Sequence, residues 1–169
     1  MRHIIILIDT SYSMLNYKNN IIYGLNNFID KIKNNCNFSN DYLTVCQFNT
    51  YINYIVKTRS VGSLNDMIFN TNMLKIDGAT ALYDSIGNII NEFINTNAHF
   101  ETHLFIISDG DDTSSYIFDK VKIEDKCKVA QSNNWIITHC TTENIHIENS
   151  ILMKYDIDDI SDILSNLSI

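Results

Sequence analysis

The chain has 169 residues, 45% of them hydrophobic, with 20 acidic against 12 basic side chains and a formal charge of −8 at pH 7. That length suits one domain with a substantial core, and arginine only at Arg2 and Arg59 leaves no basic face to neutralise phosphates, so nucleic acid is not an expected partner. Four cysteines, Cys36, Cys46, Cys127 and Cys140, lack paired spacing and predict reduced, mostly buried thiols, not a zinc site or a disulfide framework.

Taken in chain order, His3 to Ile8 is apolar on both faces, the pattern of a central parallel strand covered by helices. The apolar run ends at Asp9, too short for a secretion signal, and no stretch approaches transmembrane length. A soluble, intracellular, cytoplasmic protein without a membrane role is the expectation. Ile21, Ile22, Leu25, Phe28, Ile29 and Ile32 recur at helical spacing, so Leu15 to Asn34 reads as a long amphipathic helix. Leu43 to Phe48 and Ile52 to Lys57 follow as strands, and the short Asn49-Thr50-Tyr51 connection predicts a hairpin with one antiparallel edge strand.

A weaker pattern suggests a short helix near Leu64 to Phe69. Ala81 to Asn95 is a clearer helix with Leu82, Ile86, Ile89, Ile90, Phe93 and Ile94 as its buried stripe. His103 to Ser108 is the fourth strand, Ser114 to Val129 an irregular helix, Trp135 to Cys140 the fifth strand, and Ile151 to Tyr155 a short sixth. A last helix carries Ile157, Ile160, Ile163, Leu164 and Leu167, with Asp156, Asp158 and Asp159 in its first turn, where the helix dipole favours negative charge. Alternating strands and helices predict an α/β fold over residues 1–169: a doubly wound, mostly parallel six-stranded sheet with one antiparallel edge strand and helices on both faces.

The chemistry-bearing residues cluster where strands end. In Ile8-Asp9-Thr10-Ser11-Tyr12-Ser13, extended backbone would aim positions 9, 11 and 13 to one side. One carboxylate and two hydroxyls suit a hard, oxygen-loving cation. Gly78-Ala79-Thr80-Ala81-Leu82-Tyr83-Asp84 places a threonine before a helix, and Phe105-Ile106-Ile107-Ser108-Asp109-Gly110 ends a strand on an aspartate, at the sheet edge where α/β folds keep their ligand crevices.

These three segments, in this order, resemble the von Willebrand factor type A family, whose metal-ion-dependent adhesion site joins an Asp-x-Ser-x-Ser loop to a distant threonine and a distant aspartate. The match rests on Asp9, Ser11, Ser13, Thr80 and Asp109 and runs from His3 to Leu167; Ala79 departs from it, standing where the family usually has a second glycine. The resemblance implies a Rossmann-like sheet, those five residues as metal ligands, Mg²⁺ as the ion with Mn²⁺ able to substitute, and a protein partner presenting Glu or Asp to the open coordination position. The implied function is a metal-dependent protein-protein interaction module and not an enzyme. The alternatives are an accessory or scaffold subunit of a larger complex, ATPase-linked for example, with a structural cation, and, ranked below it, a metal-dependent phosphotransfer enzyme. An aspartyl-phosphate enzyme needs an acidic residue two positions after the first aspartate, where this chain has Ser11. Asp111 to Ser114 could shape the rim of the site, but the preferred reading is a solvated loop in which Thr113 or Ser114 caps the next helix. Tyr12, between two candidate ligands, is either a rim contact or incidental.

Overall fold

The computed structural model describes residues 1–96, 99–142, 147–154, 162 and 164. Six strands form one sheet: β1 (Arg2–Asp9), β2 (Tyr42–Phe48), β3 (Ile52–Ser60), β4 (Glu101–Ser108), β5 (Trp135–Thr141) and β6 (Ile151–Lys154). Their order is β3-β2-β1-β4-β5-β6. Every neighbouring pair is parallel except β2–β3, which is antiparallel and puts β3 at the edge, as the three-residue connection predicts.

Alternation along β1 divides the interior in two. Ile4, Ile6 and Ile8 pack with the apolar stripe of α1 (Lys18–Lys33). Ile5 and Leu7 pack on the opposite face with α2 (Leu82–Phe93) and α3 (Lys120–Gln131). All five side chains are fully buried, so β1 is apolar on both faces because both faces are covered. Burial also pushes the thiols of Cys127 and Cys140 up to about 12, which keeps them protonated and unreactive at neutral pH. Cys36 alone among the four is exposed.

The structure corrects four expectations. The first helix does not begin at Leu15: residues Tyr12–Tyr17 form a 3₁₀ turn that leads into α1. The expected helix near Leu64 to Phe69 is absent; a 3₁₀ turn occupies Val61–Ser63 and irregular chain follows. Leu64, Phe69 and Leu74 are buried one at a time. Side-chain amides do there what helical bonds would otherwise do. Asn26 both donates to the Phe69 carbonyl and accepts its N–H, at 3.0 and 2.8 Å, while Gln47 donates to the Met73 carbonyl and accepts the Lys75 N–H.

The third helix starts at Lys120, not Ser114. It is capped by Asp119, whose carboxylate accepts the Lys122 N–H at 2.9 Å, and not by Thr113 or Ser114. The fourth correction concerns Ser13: it reaches the sheet edge within a 3₁₀ turn and not in extended backbone. Most of the expected last helix lies outside the described residues, although Asp162 and Leu164 are helical and Leu164 is fully buried. No helix among the described residues is long and apolar enough to cross a membrane.

Candidate metal centre

Three loops meet at the carboxyl edge of β1 and β4. Asp9, the last residue of β1, is fully buried. One of its oxygens accepts the Ser11 N–H and the other the Ser108 hydroxyl, each at 2.7 Å. The Ser11 and Ser13 hydroxyls lie 3.1 Å apart, and Ser13 donates to Asp109 at 3.0 Å. Asp9, Ser11, Ser13 and Asp109 therefore form one short polar chain linking the end of β1 to the end of β4.

Thr80 arrives on a loop clamped from both sides. Towards the first loop, Tyr12 N–H donates to the Gly78 carbonyl at 3.2 Å and Asp77 N–H to the Thr10 carbonyl at 2.9 Å. Towards the third, Thr80 N–H donates to the Thr113 hydroxyl at 3.0 Å, and its carbonyl accepts the N–H groups of Thr113 and Ser114 at 2.8 and 3.1 Å. These bonds hold the Thr80 backbone between the other two loops, with the residue 6% exposed. The left-handed turn in this loop falls on Gly78, φ +73°, where a Cβ would come 3.1 Å from the Thr50 hydroxyl. Ala79 is not among the residues with positive φ, so the loop tolerates alanine where the family usually has its second glycine.

The irregular stretch after Asp109 is stapled to α2. The helix has no cap from its own preceding residue; instead Asp112 accepts the Tyr83 N–H at 3.2 Å and the Ser115 hydroxyl accepts the Asp84 N–H at 2.9 Å. Asp84, 5% exposed, returns the bond by accepting the N–H groups of Tyr116, Ile117 and Phe118 at 2.8–3.0 Å. A carboxylate in the first turn also suits the helix dipole. Residues 110–118 cannot form a helix while their N–H groups bond to Thr80 and Asp84.

Ser108 and Asp84 were not singled out as functional from the sequence, and Asp112 and Thr113 only as a possible rim that the solvated-loop reading outranked. For Ser108 the signal was its place beside Asp109 in Ser-Asp-Gly. Asp84 stands in the same Gly-Ala-Thr motif as Thr80. That Thr113 and Asp112 bond to the Thr80 and Tyr83 N–H groups carried no local sign, because these partners lie 33 and 29 residues away.

The electrostatics are those of a site short of positive charge. Burial raises the proton affinity of Asp9; hydrogen bonds from Ser11 and Ser108 oppose the rise, and the neighbouring Asp109 charge adds to it. Among the described residues no lysine or arginine pairs with Asp9 or Asp109. The candidate donors are two carboxylates and three hydroxyls, and among the described residues no group of three or more His, Cys, Asp and Glu could hold a metal. An all-oxygen set fits a hard cation such as Mg²⁺ and lacks the nitrogen and sulfur ligands of typical zinc sites.

Solved structures share the fold at low identity. The pilus adhesin SpaC from Lactobacillus rhamnosus GG is 14% identical with a TM-score of 0.77 over 98% of this chain and 30% of that one. The ArnB paralog VWA2 from Sulfolobus acidocaldarius is 15% identical, TM-score 0.67, over 97% and 44%. Proximal thread matrix protein 1 from the mussel byssus, solved with zinc occupying its metal-ion-dependent adhesion site motif, is 12% identical, TM-score 0.68, over 97% and 46%. The chain thus spans less than half of each of these structures. No curated protein sequence matches it. The family model for the von Willebrand factor type A domain matches residues 3–154, and the chain belongs to that family.

Proposed function

We propose that Asp9, Ser11, Ser13, Thr80 and Asp109 hold a divalent cation, Mg²⁺ with Mn²⁺ able to substitute, and that this centre binds a protein partner through a Glu or Asp side chain. The observation that carries the reading is the hydrogen-bonded chain from Asp9 through Ser11 and Ser13 to Asp109, whose last link joins residues 96 positions apart. Two carboxylates brought to one point without a basic partner destabilise each other's charged form, and a divalent ion reverses that penalty. With only two anionic donors the ion keeps its attraction for a further carboxylate. The hydroxyls of Ser11, Ser13 and Thr80 supply neutral oxygens that do not quench it.

The centre is a binding site and not a catalytic one. Ser11 stands where aspartyl-phosphate chemistry needs a second acid, and His3 and His103 lie near the starts of β1 and β4, at the opposite edge. The byssus protein named above holds zinc at the same kind of motif, which supports a metal at this edge without extending to this chain's ion or partner.

Calorimetric titration of MgCl₂ and MnCl₂ into the wild type and into an Asp109→Ala/Thr80→Ala variant tests the first half. Saturable uptake by the wild type and its loss in the variant are expected; no uptake by the wild type overturns the proposal. Affinity capture of partners in Mg²⁺ and in EDTA tests the second half. Recovery only with metal supports adhesion through the ion, whereas recovery indifferent to metal supports a scaffold or accessory subunit with a structural cation.

A further inference from the structure

Two of the five glycines follow an aspartate: Asp77-Gly78 on the loop that carries Thr80, and Asp109-Gly110 after β4. A glycine in that place has no side chain to shield its amide nitrogen, which can close a five-membered ring on the Cγ of the aspartate before it. The two dipeptides are alike in sequence and are held in opposite ways.

At the first, the Gly78 N–H donates to Asp77 Oδ1 at 2.7 Å, so the nitrogen already lies against the carboxyl group it would attack. Rotation about χ2, a broad torsion in aspartate, turns the face of Cγ towards it. Holding the reacting atoms together in this way removes most of the search that the same step needs in a loose chain. Both residues are exposed, so water reaches the ring once it forms. At the second, Asp109 takes the Ser13 hydroxyl at 3.0 Å, while the Gly110 N–H donates to the Ser108 hydroxyl at 3.4 Å. Carboxyl and nitrogen there have different partners, and both residues are half-buried.

We infer that Asp77 is a site of spontaneous isomerisation to isoaspartate, and that this change disables the candidate metal centre from the loop beside it. The second half rests on the metal-centred reading above; the first does not. The Gly78 nitrogen attacks Cγ of the neutral Asp77 acid, the N–Cγ bond forms, and the acid's hydroxyl leaves with the amide proton as water. Water then opens the cyclic imide. Attack at Cγ restores aspartate, whereas attack at the Asp77 main-chain carbonyl breaks its bond to nitrogen and leaves the chain running through Cβ and Cγ. One water is lost and one gained, so the mass does not change.

The rebuilt link lies between two anchors. The Asp77 N–H donates to the Thr10 carbonyl at 2.9 Å, and the Gly78 carbonyl accepts the Tyr12 N–H at 3.2 Å. Isoaspartate lengthens the main chain between them by one carbon, roughly 1.5 Å. The loop cannot keep both bonds at that length, and Thr80, two residues past Gly78, moves with it.

The test ages the full chain in warm, mildly acidic buffer, folded and in urea. Isoaspartate is mapped by mass spectrometry after digestion with a proteinase that cuts before aspartate and not before isoaspartate. In the folded chain Asp77 is expected to convert at least about tenfold faster than Asp109, in urea the two rates converge, and Asp77→Glu, which would need a six-membered ring, removes the signal at 77. No conversion of folded Asp77, or a rate ratio that urea leaves unchanged, overturns the site. Calorimetry with MgCl₂ then compares fresh chain, aged chain, and aged chain treated with an isoaspartyl methyltransferase, which returns isoaspartate towards aspartate. Affinity is expected to fall at least about tenfold on ageing and to recover on repair, while Asp77→Glu aged in parallel keeps its affinity. An aged chain that binds as tightly as the fresh one, or a fall that repair does not reverse, overturns the link to the metal centre. If the fresh chain takes up no Mg²⁺, the metal reading fails and the isomerisation site stands.

Discussion

The two edges of the sheet treat buried aspartates in opposite ways. At the amino edge Asp41, 3% exposed, receives the Arg2 N–H and Nε–H, each at 2.8 Å, and pairs with the rest of the guanidinium at 2.7 Å. The same guanidinium sits 4.6 Å over the Phe38 ring. Nearby, Glu101 is held below its usual range by the hydrogen bond with His103 at 2.6 Å, which outweighs the opposing push from desolvation. At the carboxyl edge Asp9 is more deeply buried than Asp41, yet its partners are one backbone N–H and one hydroxyl. Asp84 and Asp112 likewise meet N–H groups and a hydroxyl. Asp41 is given its counter-charge by the chain, and Asp84 and Asp112 are held as loop staples by N–H groups and a hydroxyl; Asp9 and Asp109 have no cationic side chain among the described residues, and under the proposed function their counter-charge is a bound cation.

The largest effect that separates the edges is the loss of Arg2. In Arg2→Ala, Asp41 keeps its backbone donor but stays buried without a cation, and the variant loses about 3 kcal/mol, read as a lower urea midpoint with an unchanged slope. Asp9→Asn in EDTA removes a buried charge that has no counter-charge, and its amide can donate to the Ser108 hydroxyl while its oxygen keeps the Ser11 N–H, so its midpoint stays within about 1 kcal/mol of wild type. If the two substitutions cost the same, the edges are alike and the contrast fails.

Metal sharpens the contrast from the other side. At about 100 times its dissociation constant, Mg²⁺ adds about 2.7 kcal/mol to the wild type, a rise of roughly 5–10 °C in Tm for a chain of this size. Asp109→Ala and Asp9→Asn show none of that gain, while Arg2→Ala shows all of it on its lower baseline. Thermal scans of the four proteins in EDTA and in Mg²⁺ read the outcome directly.

Asp84→Asn gives a smaller effect. One acceptor oxygen is replaced by an amide that opposes the N–H groups of residues 116–118, at a cost of about 2 kcal/mol. Those three amides then exchange faster with solvent, seen by hydrogen exchange. Because the same loop carries Asp109, Mg²⁺ affinity falls about tenfold, which calorimetry measures.

The ease of reading the sequence follows the same division between local and distant contacts. β1, the β2–β3 hairpin and α2 were legible because their apolar residues repeat within a few positions and because burial decides the period. The irregular stretch from Val61 to Lys75 was not, since its order comes from Asn26 and Gln47, polar residues on other elements. The candidate centre divides similarly. Asp9, Ser11, Ser13 and Asp109 announced themselves by lying at strand ends, and the structure joins them. What places Thr80 came from Thr113 and Ser114, and the late start of α3 from Asp84, contacts that no local pattern encodes.

The smallest effect is a pH dependence whose sign distinguishes the apo edge from the metal-loaded one. In EDTA Asp9 binds its proton more tightly folded than unfolded, because burial raises its affinity above the ordinary value of 3.8. Its contribution to stability is then fully present below about that pH and is lost as pH rises through the folded value. The slope is at most about 1.4 kcal/mol per pH unit for one proton, and it appears as the difference between wild type and Asp9→Asn in urea unfolding across that window. A bound cation favours the ionised carboxylate, so with saturating Mg²⁺ the same difference changes sign and stability rises with pH as proton and metal compete for Asp9. A difference curve that slopes the same way in EDTA and in Mg²⁺ shows that the ion does not touch Asp9, and the two edges then differ only in how they are hydrogen-bonded.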